Sequence, residues 1–443
     1  MRILIATAGS RGDVAPYTGL GAALRAAGHE VALAATESFA PLAAEAGLEF
    51  RALPADPQAH SDVQGKRELM RAASAFITDL GEGFADAVGN GTDLLLLSAT
   101  TAPLGWHITE ATGIPSMGVY LQPTAPTGDF APTVTGTRPL GRFGNRAAGR
   151  FALRMTDRVF EPAVVRLRER LDLPTLTATR MRRRQDEAGW PVLHGFSTAL
   201  VPRPSGWAAH LTVTGSWWPY VDAGRRLPAD LEGFLAAGPR PVLVGFGSMA
   251  AGHGDRLSEI AVRALRQAGL RGILQSGSAG LAADGDDVLT IGDVPHALLF
   301  PRLAAVVHHA GAGTTAAAVR AGVPSVTVPV AAAHRPAAPH GDALPRQVRR
   351  LRAARATAGQ SDRPSGFAPS GSPCVVRSAA SVVRHGEDRQ ERPQAGNGFA
   401  AGRRAGWHPG CRCRCGPGMR GHPCGRVLPW RLFPFPLTGS RAR

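Results

Sequence analysis

Short apolar runs that end at a polar loop, each followed by a stretch of helical spacing, recur along the chain, and the series is written twice. Arg2–Ala8, RILIATA, is such a run and ends at Gly9. A strand buried on both faces of a parallel sheet reads this way. The loop Gly9–Pro16, GSRGDVAP, follows, with Pro16 suited to the first turn of a helix over Tyr17–Ala27 that Gly28 ends. Val31–Ala35 is predicted as a strand, Ser38–Ala46 as a helix, Leu48–Leu53 as a strand and Gly65–Ala87 as a helix. Asp93–Leu97 and Ile114–Tyr120 are two further strands. Between about Gln122 and Arg203 the pattern loosens around one charged amphipathic helix, RMTDRVFEPAVVRLRERL, whose arginine face reads as a solvated surface. The alternation restarts with the strand Pro241–Gly245. The helix Arg256–Ala268, the strands Gly272–Gln275, Asp287–Ile291 and Ala304–His308, the helix Thr314–Ala321 and the strand Ser325–Val330 follow. Strands and helices alternating at this spacing imply an α/β fold with two parallel sheets and crossover helices.

Charge divides the chain at the same place where the alternation stops. The net charge of +16 over 443 residues suggests nucleic acid or an acidic surface as partner until it is located. Residues 1–331 carry 30 basic and 29 acidic residues, whereas residues 332–443 carry 20 arginines and 5 acids. The periodic part is therefore near neutral, and no nucleic-acid partner is expected for it. All five cysteines, from Cys374 to Cys424, lie in the second stretch, which excludes a disulfide framework from the first. No apolar run reaches the roughly 18–20 residues of a membrane span. The apolar run at Met1 is too short for a secretory signal, so a cytoplasmic location without an integral membrane segment is expected. The organisation expected is a first domain over residues 1–205, an interdomain connection over 206–227 and a second domain over 228–331. An Arg-, Pro-, Gly- and Cys-rich tail over 332–443 would be disordered. Trp217 and Trp218 in the connection suit packing at the domain junction better than stacking on substrate.

Two loops carry residues with chemistry. HHAGAGTT, His308–Thr315, joins a predicted strand to a predicted helix. Gly311 and Gly313 let a ligand approach the backbone, and free N–H groups meet the positive end of the helix dipole there. Thr314 and Thr315 add hydroxyls and His309 an imidazole N–H, so a diphosphate would fit. The loop is neither a Walker A sequence nor a dinucleotide-binding fingerprint. An ordinary glycine-rich turn, with His309 as a core histidine beneath it, stays open. In the loop GSRGDVAP, Asp13 sits at the carboxyl end of the first strand, the edge where open α/β sheets bind ligands. A carboxylate there could take a proton from a hydroxyl that acidifies as it reacts. A helix-capping aspartate is the other reading.

GSRGDVAPYTGLGAALRAAGHEVALA and HHAGAGTTAAAVRAGVPSVTVPV, with PVLVGFGSM and VPHALLFPRLAAVVHH between them, resemble the nucleotide-sugar-dependent glycosyltransferases of the GT-B fold, in particular their bacterial antibiotic and sterol branch. The resemblance spans about residues 1–331. It implies two Rossmann-like domains facing across a cleft, the first for a small lipophilic acceptor and the second for a nucleoside diphosphate sugar. The implied reaction is an inverting displacement with no cofactor and no metal. By motif match Asp13 is the implied base, and His309, Gly311, Gly313, Thr314 and Thr315 the implied diphosphate contacts. Ser248 joins them more weakly, Ser10 belongs to the acceptor-side loop, and Val294 falls where contacts to the nucleobase arise.

The pattern also departs from that family. After the VPV strand the family has an Asp–Gln pair that binds donor sugar hydroxyls and a further strand–helix series. Here the chain reads AAAHRPAAPHGDALPRQ. A shift of reading frame near Ala331–His334 would account for the lost pair, the arginines and the cysteines together, and would leave the second domain incomplete. The CRCRC run, Cys411–Cys415, has poor spacing for a tetrahedral zinc site. Two functions therefore stay open: sugar transfer to a lipophilic hydroxyl, or a non-catalytic product that keeps only an apolar-ligand-binding first domain.

Overall fold

The computed structural model describes residues 1–54, 66–89, 91–132, 140–247 and 253–328. All of them belong to the first of the chain's two compact units, Met1–Glu391. Ser248 and the stretch 332–443, where the expected frame shift and disorder and the disfavoured zinc reading fall, lie outside the described residues.

The first sheet contains seven parallel strands in the order β3-β2-β1-β4-β5-β6-β7. These are β1 (Arg2–Ala6), β2 (Glu30–Thr36), β3 (Glu49–Leu53), β4 (Leu94–Leu97), β5 (Ser116–Tyr120), β6 (Val192–His194) and β7 (Leu211–Val213). Their side chains alternate between two cores, as the period of two requires. Ile3 and Ile5 of β1 and Leu94 and Leu96 of β4 enter one; Leu4, Leu95 and Leu97 enter the other. Each fully buried leucine contributes about 1.5–3 kcal/mol by leaving water. The crossovers run through α1 (Arg11–Ala26), α2 (Ala40–Glu45), α3 (Lys66–Val88), α4 (Ala102–Thr112), α5 (Gly141–Arg170) and α6 (Ala178–Ala188).

The second sheet is smaller and repeats the plan, with five parallel strands in the order β10-β9-β8-β11-β12. They are β8 (Val242–Gly245), β9 (Gly272–Gln275), β10 (Val288–Ile291), β11 (Ala305–His308) and β12 (Ser325–Thr327), served by α7 (Ala229–Ala236), α8 (Gly254–Ala268), α9 (His296–Leu299) and α10 (Ala312–Arg320). Val242, Val244 and Val307 point into one core and Leu243, Ile273 and Val306 into the other.

Several expectations shift. Helix α1 begins at Arg11 rather than Tyr17 because Ser10 caps it, so Pro16 lies inside the helix and removes the bond to the Gly12 carbonyl. The loosely patterned region holds α6 and β6, which the periodicity did not reveal, and an α5 of 30 residues that begins well before the predicted helix. Strand β7 lies within the stretch expected as a connection, so the first sheet continues to Val213. Partly buried ion pairs hold the helices over this region together: Arg168 donates to Glu110 at 2.7 Å and Arg182 to Asp157 at 2.7 Å.

The segment after β7 is anchored on α1. Trp217 is buried against Tyr17, with ring centroids 6.0 Å apart, and the Tyr220 N–H donates to Thr18 Oγ1 at 2.9 Å. The Arg320 guanidinium of α10 lies 4.5 Å over the Trp218 ring, tying the second domain to the same segment. Gly19 makes this contact feasible, since a Cβ there would collide with the Trp218 carbonyl oxygen. Gly19→Ala is expected to lower the unfolding free energy of the full-length chain by about 1–3 kcal/mol in urea; an unchanged urea midpoint would contradict the packing described.

Candidate functional site

Both sheets reverse their order beside the first strand of the series, between β1 and β4 and between β8 and β11. Loops at the carboxyl ends of strands flanking such a reversal are exposed for ligand binding. Asp13 follows β1 and His309 follows β11, so the two sequence motifs occupy equivalent places in the two domains.

Asp13 is the third residue of α1 and shares a capping box with Ser10. Its Oδ2 accepts from the Ser10 N–H at 2.8 Å and from the Ser10 hydroxyl at 2.8 Å. Among the described residues no group donates to Oδ1. The capping reading was therefore sound in kind, but Ser10 is the cap and Asp13 its partner one turn on. Ser10 acts on the carboxylate directly. Gly9, at φ +141°, adopts a conformation side chains rarely take, and its Cβ would lie 2.6 Å from Asp13 Oδ2. Nearby, Tyr17 donates to the Val119 carbonyl at 2.6 Å, and burial, with Asp13 adding to it, holds its phenol protonated far above the usual range.

The two adjacent histidines of the second loop divide the roles between them. His308 is the core histidine, only 1% exposed. The Ala310 N–H donates to its Nδ1 at 3.2 Å, which assigns the ring proton to Nε2, 2.6 Å from Ser325 Oγ. Burial, assisted by His309, lowers its pKa to about 4. The bond to Ala310 supports a residue held at φ +70° without being glycine. His309 is half-buried, and burial lowers its pKa as well. Its Nδ1 is enclosed without a partner among the described residues, so Nε2 is the nitrogen open to a ligand.

The glycines of this loop serve different ends. A Cβ on Gly311 would stand 2.6 Å from His309 Nε2, and one on Gly247, at φ +57°, 3.0 Å from Cε1. Both therefore leave room for the imidazole. Gly313 faces open space. Gly311 caps α10, whose first N–H groups, on Ala312, Gly313 and Thr314, have no acceptor within the helix. No acidic residue occupies that first turn. Among the described residues nothing pairs with the Thr314 hydroxyl. Thr315 differs, because its N–H and its hydroxyl both donate to the Gly311 carbonyl at 2.9 Å.

Val294 follows β10, and its side chain, 8% exposed, packs in the core with Leu243, Ile291 and Phe300. Only its peptide group could meet a base. Beside it are residues the sequence reading missed. Arg11, at the first position of α1, reaches Asp293 at 3.7 Å, and Asp293 Oδ1 accepts from Gln275 Nε2 at 3.3 Å. His296 stacks on Phe300 at 4.3 Å, and burial, then the Arg11 charge, lowers its pKa to about 4. The Arg11–Asp293 pair joins the loops of the two domains, and no local periodicity could have announced it. Among the described residues no group of three or more histidine, cysteine or acidic side chains is placed to hold a metal ion.

Residues 3–124 match the model of the glycosyltransferase family 28 N-terminal domain. The chain is 38% identical over 354 residues to the O-mycaminosyltylonolide 6-deoxyallosyltransferase of Streptomyces fradiae, with 75% of this chain and 82% of that protein covered. It is 31% identical over 362 residues to a sterol 3-beta-glucosyltransferase of Arabidopsis thaliana, with 74% of this chain and 54% of that protein covered. Among solved structures, the glycosyltransferase SnogD from Streptomyces nogalater shares the fold, with a TM-score of 0.55 at 22% identity, covering 88% of this chain and 95% of that one.

The buried histidines give the protein a pH signature. The pKa values of His107, His194, His296 and His308 are lowered by burial to about 4, below the 6.5 of a free imidazole. The folded state thus binds fewer protons than the unfolded one between those values, and stability present above pH 6.5 is lost as the pH falls towards 4. The urea midpoint is expected to drop between pH 7 and pH 5; a midpoint that holds or rises would contradict these burials.

Proposed function

From the premise that this chain belongs to the GT-B glycosyltransferases, in the family of the antibiotic and sterol glycosyltransferases, we propose that it moves a sugar from a nucleoside diphosphate to a hydroxyl of a lipophilic acceptor with inversion at the anomeric carbon. The observation that carries this reading is the pairing of unlike helix N-termini at equivalent strand ends. Among the described residues, one presents a carboxylate oxygen with no donor, and the other presents N–H groups with no acceptor in the helix and no acid in its first turn. A proton acceptor and an anion cradle are the two parts a single displacement at a glycosyl diphosphate needs.

In the proposed step the acceptor hydroxyl gives its proton to Asp13 Oδ1 as its oxygen bonds to the anomeric carbon. The bond from that carbon to the diphosphate oxygen breaks, and the electron pair leaves with the diphosphate. Ser10 holds the carboxylate through Oδ2. The N–H groups of Ala312, Gly313 and Thr314, the Thr314 hydroxyl and the His309 Nε2–H meet the charge that grows on the leaving group. Such donors need no reorganisation as the charge develops. They supply the electrostatic role that a metal has in other phosphate chemistry, so the reaction is proposed to need none. An arriving diphosphate would raise the lowered pKa of His309, because a nearby anion favours the imidazolium.

The test is turnover with uridine and thymidine diphosphate sugars and with two acceptors, O-mycaminosyltylonolide and a sterol, read as released nucleoside diphosphate and as glycoside. Asp13→Asn is expected to lower kcat by about 10²–10⁴-fold while leaving donor affinity nearly unchanged. His309→Ala is expected to weaken donor binding and kcat together. Full activity in Asp13→Asn, or no turnover with any donor, would count against the proposal.

A further inference from the structure

Helix α5 has two unlike halves. In the C-terminal half Arg166, Arg168 and Arg170 each meet a carboxylate, from Glu82, Glu110 and Asp86. From the start of the helix to just past its midpoint Arg142, Arg150, Arg154 and Arg158 are exposed, and among the described residues none pairs with an acid. The sequence has no Asp or Glu from Phe130 to Thr156.

Large apolar side chains stand among these cations. Phe143 is 93% exposed and Phe151 60%, and Leu140, next to the helix start, is 54% exposed. At 3.6 residues per turn these three, with Arg150, Arg154 and Arg158, fall within an arc of about 100°. The opposite side of the same half holds the buried Asn145, whose side chain donates to the Gly128 carbonyl at 3.1 Å, and the buried Gly149. The outward stripe is therefore fixed by how the helix packs. The solvated arginine face expected from sequence has two exposed aromatic rings set into it.

We propose that the N-terminal half of α5 docks the protein onto an anionic phospholipid surface. The charge pattern selects this partner. Guanidinium groups without internal acids pair with lipid phosphates, while phenylalanine rings enter the boundary between headgroups and acyl chains. The long arginine stems allow the heads to stay with the phosphates while the rings go deeper. Attachment is peripheral, as no described helix is long and apolar enough to cross a membrane.

The experiment is co-sedimentation of the full-length chain with vesicles of phosphatidylcholine alone or with about 30% phosphatidylglycerol, at low and high salt. Because residues 332–443 carry 20 arginines of their own, the comparison is between full-length chains differing only at Phe143 and Phe151, and hydrogen exchange locates the contact. Binding is expected only with the anionic lipid, falling with salt, with slowed exchange over Leu140–Arg158. The Phe143→Ser, Phe151→Ser double variant is expected to bind about tenfold more weakly. Both positions are solvent-exposed, so the variant keeps its fold, which an unchanged urea midpoint checks. The proposal is overturned by absent binding to anionic vesicles, by equal binding of the variant, or by protection confined to other segments.

Discussion

Parallel pairing of β1 with β2 on one side and β4 on the other is the constraint from which the rest of the first domain follows, and β8 between β9 and β11 repeats it in the second. A parallel strand cannot return through a tight turn, so a long crossover follows each, through a helix in most cases and through loop from β6 to β7. Where the strand order reverses, neighbouring crossovers leave on opposite faces and the loops above them stay open. The candidate residues Ser10, Asp13, His309 and Thr314 stand on such loops or in the first turn of the helix that follows. The apolar runs of β1, β4, β8 and β11, buried on both faces, set those loops in place.

The two loops use the same element in opposite ways. Helix α1 neutralises its own N-terminus through Asp13, whose Oδ2 is occupied by Ser10, and so turns a helix end into a held carboxylate. Helix α10 brings no acid to its first turn and leaves its first N–H groups without an acceptor in the helix. His308 fixes the loop from below through Ala310, and two glycines leave space for the His309 ring above. Arg11 extends from the first helix end to Asp293 in the second domain, so the carboxylate and the anion cradle are built on domains that touch at their working edges. As an exposed pair it contributes little to stability and can open at little cost.

Most strands were legible because a fully buried parallel strand has no polar alternation to obscure it. Helix α1 was misread at its start, since Pro16 looks like a first-turn proline and the Ser10–Asp13 capping box outweighs it. Strands β6 and β7 are three residues each, too short to leave a period, and β7 follows a Pro- and Trp-containing stretch that resembles a linker. Of the candidate site, the placement of Asp13, His309 and Thr314 at the carboxyl ends of strands was legible from motif and spacing. The division of labour between His308 and His309 was not, because it depends on Ser325 across the sheet. Neither was the commitment of Thr315 to Gly311, nor the burial of Val294, which tertiary packing decides. The arginines of α5 were visible as a pattern, but which were paired and which stood beside exposed phenylalanines depended on α3 and α4.

The claim on which the chemistry turns is that an anion is held at the start of α10 opposite the free oxygen of Asp13. Crystals soaked with uridine or thymidine diphosphate test it directly. The phosphate oxygens are expected at about 2.7–3.2 Å from the N–H groups of Ala312, Gly313 and Thr314 and from His309 Nε2. A well-ordered nucleotide bound elsewhere, with those groups facing only solvent, would contradict it.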